Sequence, residues 1–235
     1  MKNVFSIICM VIATFFMSCS SDDDGGDPGG GGGGGGPEAL ATYRITFNPT
    51  FTDVNFPQDY PANPAFSGLV VVVHKPSRAV FGVGEVASAG LKELAETGGA
   101  SALEIELEAE NEEDDVNYIV SSLSTSGGPT QSQSIEVTID PEKTSITVLS
   151  ALSPSPDWFV GLDSFSLISG PNSLVQTSTQ TLVPLDAGTD SGTTYTSGDM
   201  PTSPQEVIAT INTAPLGGGG LSSSIGTIFI ERTDI

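Results

Sequence analysis

The chain has 235 residues, 37% of them hydrophobic, and runs such as Val70 to Val73 can build a core, so its acidity belongs to a solvated exterior and not to wholesale disorder. Its 29 acidic residues against seven Lys and Arg give a formal charge of −22, which argues against a nucleic-acid partner: binding phosphate needs clustered cations, and this surface repels a polyanion. The two cysteines, Cys9 and Cys19, both lie in the first twenty residues, so the remainder has no disulfide and no thiol catalyst.

Lys2 precedes an apolar stretch from Val4 to Met17 that is too short to span a bilayer and suits a signal-peptide core. The string Phe16-Met17-Ser18-Cys19 resembles a loose bacterial lipobox, in which the small residue before the cysteine allows cleavage and acylation of the thiol. Residues 1–18 are therefore expected to be a lipoprotein signal peptide and Cys19 the lipidated residue. Ser20 to Asp24 follow at once and resemble an acidic surface-export signal; a solvated spacer is the plainer alternative. From Gly25 to Gly36 only Asp27 and Pro28 interrupt the glycines, which makes residues 19–37 an anchor and flexible tether and residues 38–235 one domain. At about 0.8 kcal/mol per buried methylene, acyl chains would hold such a chain at the outer membrane without a spanning helix.

Strand signals dominate the domain. Tyr43, Ile45 and Phe47 alternate with Arg44 and Thr46, and near the end Ile228 and Ile230 alternate with Thr227, Phe229 and Glu231. From Leu103 to Glu110 apolar residues share one parity and four glutamates the other, which predicts a half-buried strand with a carboxylate ladder. Further strands are expected over 134–139, 145–149 and 158–162, separated by Gly, Pro, Asp and Ser clusters as an antiparallel sandwich requires. One segment reads as a short helix, capped by Ser88, carrying Leu91, Leu94 and Ala95 on one face and stopped at Gly98.

Several patterns mimic sites. Gly82, Gly84 and Ala87 form a G-x-G-x-x-A, yet no strand feeds directly into it and no βαβ repeat follows, so a glycine-rich turn is the better reading. The single histidine, His74, continues a valine run and reads as a satisfied strand residue; no G-x-S-x-G elbow and no metal-spaced histidine pair accompanies it. The acidic run from Glu110 to Asp115 lacks turn glycines and reads as an exposed loop. More informative are Pro154-Ser155-Pro156-Asp157-Trp158-Phe159-Val160-Gly161 and Asp186-Ala187-Gly188-Thr189-Asp190-Ser191-Gly192. Each puts aspartates at a strand end beside residues that force a turn, the kind of loop that offers a hard cation its six to eight oxygens; a turn with solvated aspartates fits the spacing equally.

Together these two segments resemble the spondin N-terminal domain family, to which F-spondin and mindin belong. Supporting matches are Tyr43-x-Ile45-x-Phe47, Tyr60-Pro61 with Phe66-Ser67, and Ala87-Ser88-x-Gly90-Leu91 with Ala95-Glu96-x-Gly98, so the likeness covers residues 41–234. It implies an all-β fold, a C2-like antiparallel β-sandwich, with Ca2+ held at one end of the loops by Asp157, Asp186 and Asp190 and with Trp158 and Phe159 as packing behind the site. It also implies the class of matrix and adhesion proteins. Animal members carry cysteines and thrombospondin-type repeats that do not appear in this sequence.

The expectation is thus a lipid-anchored, surface-exposed, calcium-binding module that is not an enzyme and that meets an extracellular protein or glycan. The rivals are an envelope glycan hydrolase using a carboxylate pair and a structural envelope protein.

Overall fold

A computed structural model describes residues 40–235 apart from 113–114, 172, 219–220 and 235. The leader, Cys19, the acidic stretch and the glycine tether lie outside the described residues, as do Glu113 and Asp114 of the acidic run.

In chain order the elements are β1 (Ala41–Pro49), β2 (Ala65–Phe66), β3 (Val70–His74), α1 (Ala89–Thr97), α2 (Ser101–Ala109), β4 (Tyr118–Ser122), β5 (Gln133–Ile139), β6 (Ser145–Ser153), β7 (Trp158–Ser166), β8 (Ile168–Gly170), β9 (Ser173–Leu174), β10 (Thr177–Leu182), β11 (Pro184–Asp186), β12 (Ala209–Thr210), β13 (Gly217–Gly218), β14 (Leu221–Ser222) and β15 (Gly226–Arg232). One sheet runs β10-β15-β1-β5 and the other β12-β11-β7-β6-β3-β4, with β2 added on β6. Every pairing between named strands is antiparallel, and the fold is an all-β sandwich.

The first sheet follows from strict alternation. Tyr43, Ile45 and Phe47 are fully buried while Arg44 is exposed, and register places Ile45 between Ile135 of β5 and Ile230 of β15. These inward side chains meet Val71, Val73, Ile146, Val148 and Val160 of the second sheet in one apolar core. The second sheet is covered on its other face as well. There Val70, Val72, Leu149 and Phe159 pack against Leu91 and Leu94 of α1 and Leu103 and Leu107 of α2, which is why β3 reads as unbroken valine.

Helix α1 forms as its sequence predicts. The Ser88 side chain accepts from the Leu91 N–H at 3.1 Å, and Gly98 ends the helix with φ 76°, its N–H donating to the Leu94 carbonyl.

Residues 103–110 correct the expectation of a strand: residues 103–109 belong to α2 and Glu110 caps it, so the described residues hold two short helices where the sequence suggested one. The alternation of Leu and Glu is compatible with both periods, because Leu103 and Leu107 are also four apart and both are buried. Ile105, which a strand would place on the same face, is 68% exposed. Alanine, leucine and glutamate are strong helix formers, and this propensity decides the outcome once a partner helix is available. The contact is close: a Cβ on Gly90 of α1 would lie 2.5 Å from the Leu103 Cα, and the Glu106 carboxylate accepts from the Gly90 N–H at 2.7 Å. The glutamates are thus not a ladder. Glu106 serves the first turn of α1, where unpaired N–H groups favour a carboxylate, and Glu104 accepts from the Ser122 hydroxyl of β4.

Among the described residues no helix is long and apolar enough to cross a membrane.

Candidate metal centre

The aspartates named from sequence lie where β7 and β11 meet the loop that follows β11. Ser155 shapes the entry: its hydroxyl donates to the Leu152 carbonyl at 2.6 Å and accepts from the Trp158 N–H at 3.1 Å, which turns the chain sharply and leaves Asp157 immediately before β7. In register, Asp186 of β11 faces Trp158. Asp157 and Asp186 therefore occupy the same end of the second sheet.

From there residues 187–192 fold back over Asp157. The Ala187 N–H donates to the Asp157 carbonyl at 3.2 Å, and the Asp157 carboxylate takes three bonds on Oδ2, from the Thr189 N–H at 2.7 Å, the Asp190 N–H at 3.0 Å and the Thr189 hydroxyl at 3.2 Å. The turn needs glycine at 188: φ is 72°, and a Cβ there would sit 2.5 Å from the Glu206 carbonyl oxygen. Asp186 accepts from the Gly188 N–H at 2.8 Å. Asp190 accepts from the Gly192 N–H at 2.7 Å on Oδ1 and from the Met200 N–H at 2.6 Å on Oδ2.

Each carboxylate is thus first an organiser of backbone. Among the described residues no group of three or more His, Cys, Asp or Glu is arranged to hold a metal ion. The loop brings Asp157 and Asp190 into contact through Asp157 Oδ2 and the Asp190 N–H; Asp190 borders a recess of about 290 Å³ shared with Glu96 and Asp199, whereas Asp186 borders a separate recess of about 210 Å³ beside Glu206. Asp199 carries no motif that would mark it in sequence, and Glu96, which arrives from the last turn of α1, is marked there only as part of the Ala95-Glu96-x-Gly98 match and not as a site residue.

One atom stands out as fit for a cation. Asp157 is fully buried, and its Oδ1 has no hydrogen-bond partner. Burial, with the Asp186 carboxylate adding to it, pushes the Asp157 acid up to about 6 against its three hydrogen bonds. Burial also raises Asp186, opposed by the Gly188 N–H and the Trp158 side chain. A buried anionic oxygen without a donor is costly unless a proton or a cation compensates it, and an all-oxygen neighbourhood suits a hard cation. Among these three carboxylates only Asp157 has an oxygen without a partner among the described residues; Asp186 is engaged by the Gly188 N–H and the Trp158 side chain, and Asp190 by two N–H groups.

The remaining sequence candidates behave as structural residues. Trp158 is buried and packs edge-on against Tyr195, with ring centroids 5.4 Å apart. His74 is fully buried in β3, bonded through Nδ1 to the Lys75 carbonyl at 2.9 Å and through Nε2 to the Thr147 hydroxyl at 3.1 Å. Gly84 has φ 94° in a turn whose N–H donates to the Ile208 carbonyl, so the G-x-G-x-x-A is a glycine turn and not a phosphate cradle. In the acidic run Glu112 and Asp115 bridge each other, and Asp115 pairs with Lys75.

Comparison with known proteins bears on the whole domain. The family model Spondin_N matches residues 41–216, which include both aspartate segments and both helices. The chain belongs to the spondin N-terminal domain family. Rat Spondin-2 is 36% identical over 176 residues, 73% of this chain and 53% of that protein, and human Spondin-2 is 35% identical over 180 residues, 75% and 54%. Rat Spondin-1 is 32% identical over 205 residues, covering 82% of this chain and 25% of that protein. The chain thus spans about half the length of Spondin-2 and a quarter of Spondin-1. In this spondin N-terminal domain the matched region stops before β13 to β15, yet β15 is central to the first sheet, between β1 and β10.

Proposed function

We propose that the chain is a surface-anchored lipoprotein whose spondin domain binds calcium and acts as a non-catalytic adhesion module toward an extracellular protein or glycan. Membership in the spondin family supports the binding class. The observation that carries the calcium reading is the buried, unpartnered Oδ1 of Asp157 inside a loop closed by Thr189 and Asp190. Calcium would be held by Asp157, Asp186 and Asp190, with backbone oxygens and water completing the shell. The ion supplies charge neutralisation and loop rigidity, and the protein's own groups do the recognising. Anchoring rests on the leader and Cys19, and exposure on the cell surface rests on the acidic residues that follow it.

The test is a binding array of matrix proteins and glycans probed with the full chain in calcium and in chelator. A discrete partner bound more tightly in calcium supports the reading; release of reducing sugar from a glycan would contradict it in favour of a hydrolase.

A further inference from the structure

At its β12 edge the second sheet presents apolar side chains to solvent. The Glu85 N–H closes a turn on the Gly82 carbonyl at 3.0 Å, with Gly84 at φ 94°, and the chain there pairs with the segment entering β12: the Gly84 N–H donates to the Ile208 carbonyl at 2.8 Å and the Ile208 N–H to the Glu85 carbonyl at 2.7 Å. Val86 therefore stands directly opposite Val207, and directly opposed residues of an antiparallel pair share one face. Val83 lies within the turn itself. These three valines are between 47 and 59% exposed. Apolar side chains exposed singly are ordinary, whereas a group of them rimmed by polar residues is the mark of a protein interaction surface. Beside the pair lies the recess of about 210 Å³ that Val207 lines together with Ala209, Asp186 and Glu206; among the described residues no Lys, Arg or His lines it. Glu85 and Glu206, both exposed and neither a calcium candidate, put a negative charge on each side of the pairing.

We infer that this edge docks a protein segment in which a lysine or arginine is flanked by apolar residues. The recess falls below the roughly 300 Å³ at which small-molecule sites begin, so it has room for a side chain and not for a ligand of its own. A long cationic side chain lays its methylenes along Val207 and Ala209 and brings its charge to Glu206, while its apolar neighbours cover Val83 and Val86. Charge decides the class of partner: a second copy of this chain, at a formal −22, is repelled, as is any acidic protein, and a basic segment is drawn in. The backbone bonds that set the valines in place are already made, so docking has little of the chain to order. The inference deepens the adhesion reading by naming the partner's chemistry, and it rests on that reading. It does not rest on calcium.

The experiment titrates the full chain, in chelator so that no ion screens Asp186, with the capped peptides Val-Lys-Val-Lys-Val, Val-Arg-Val-Arg-Val and Val-Glu-Val-Glu-Val and with pentalysine. At least one of the two cationic valine peptides should bind, and more tightly than pentalysine; the glutamate peptide should not bind. The double variant Val86→Ser, Val207→Ser and the single variant Glu206→Gln, which change exposed side chains and should melt with the wild type, should each weaken that binding by about tenfold. Val54→Ser and Glu108→Gln, exposed elsewhere, should leave it unchanged. The inference is overturned if neither cationic valine peptide binds, if binding survives the valine and Glu206 variants, if the glutamate peptide binds as well, or if pentalysine binds as tightly, which would reduce the effect to diffuse charge. The array of matrix proteins separates this surface from the adhesion reading beneath it: a protein bound equally by the wild type and by the double valine variant overturns the surface and leaves adhesion standing, whereas an array without any partner, with the peptide bound as described, removes adhesion and leaves the surface.

Discussion

Asp157 and Thr189, thirty-two positions apart in sequence, are joined by two bonds onto one carboxylate oxygen, the Thr189 N–H at 2.7 Å and its hydroxyl at 3.2 Å. That oxygen closes the loop, and its twin is left without a partner in the interior. The two oxygens thus have opposite consequences for stability, and substitutions separate them. Asp157→Ala removes the acceptor of three buried donors and should cost about 3 kcal/mol, at about 1–3 kcal/mol per orphaned group less the relief of a buried charge. Asp157→Asn keeps an acceptor oxygen and removes the charge, so in chelator it should cost less than about 1 kcal/mol. Urea denaturation of the two variants checks the order; equal losses would show that the loop bonds matter less than described.

The helical state of residues 101–109 separates two leucine-parity residues that a strand would treat alike. Leu107→Ala, at a buried position, should cost about 2–5 kcal/mol, whereas Ile105→Ala, 68% exposed, should stay within about 0.5 kcal/mol. Similar costs for both would restore the strand reading.

His74 gives the domain an acid-sensitive strand. A carbonyl can only accept, so Nδ1 carries the proton toward Lys75, while Nε2 meets the Thr147 hydroxyl, which itself donates to the Asp163 carboxylate. Burial lowers its pKa below the usual 6.5, against the opposing pull of the Lys75 and Arg78 backbone carbonyls and of Asp163. The unfolded chain therefore takes a proton first as pH falls. The stabilising contribution is full above 6.5 and is lost as pH drops from there through the folded value. Between about pH 7.5 and about pH 5 the loss that belongs to the ring runs against a gain from Asp157, whose folded carboxyl, pushed up to about 6, takes a proton before the unfolded chain does; the ring's share is therefore read as the difference in melting between the wild type and His74→Gln across this range.

Much of this was legible in the sequence. Tyr43, Ile45 and Phe47 fix β1 because only one face of that sheet is buried, and Ser88 with Gly98 fixes α1 because its caps are local chemistry. Residues 103–110 misled because alternation and an i, i+4 pair coincide there, and the arbiter, packing of Leu103 on Gly90, is a tertiary contact. The two aspartate segments meet at one end of the second sheet. They could not show that Asp190 spends both oxygens on Gly192 and Met200, nor that Glu96 of α1 would share its recess, since those partners are set by the fold and not by spacing.

Anchoring is tested at Cys19, the cysteine that directly follows the leader and its small residue. Metabolic labelling with a fatty acid should mark the full chain and leave Cys19→Ala unlabelled; equal labelling of both would contradict the lipid anchor. On whole cells, added protease should digest the domain, and digestion only after lysis would place it on the inner side of the outer membrane.

The central claim, that calcium completes the loop cluster, is tested most directly by the melting temperature of the full chain in chelator and in millimolar calcium, with calorimetric titration beside it. An ion that binds the folded state alone adds about 2.7 kcal/mol at a hundredfold its dissociation constant, so the melting temperature should rise and one specific site should appear. The same site should persist in a Glu112→Gln, Glu113→Gln control, which removes only diffuse attraction, and should vanish in Asp157→Asn and in Asp186→Asn with Asp190→Asn. An unchanged melting temperature with no calorimetric site would contradict the claim and leave Asp157 as an uncompensated buried acid that serves only to tie the loop to Thr189 and Asp190.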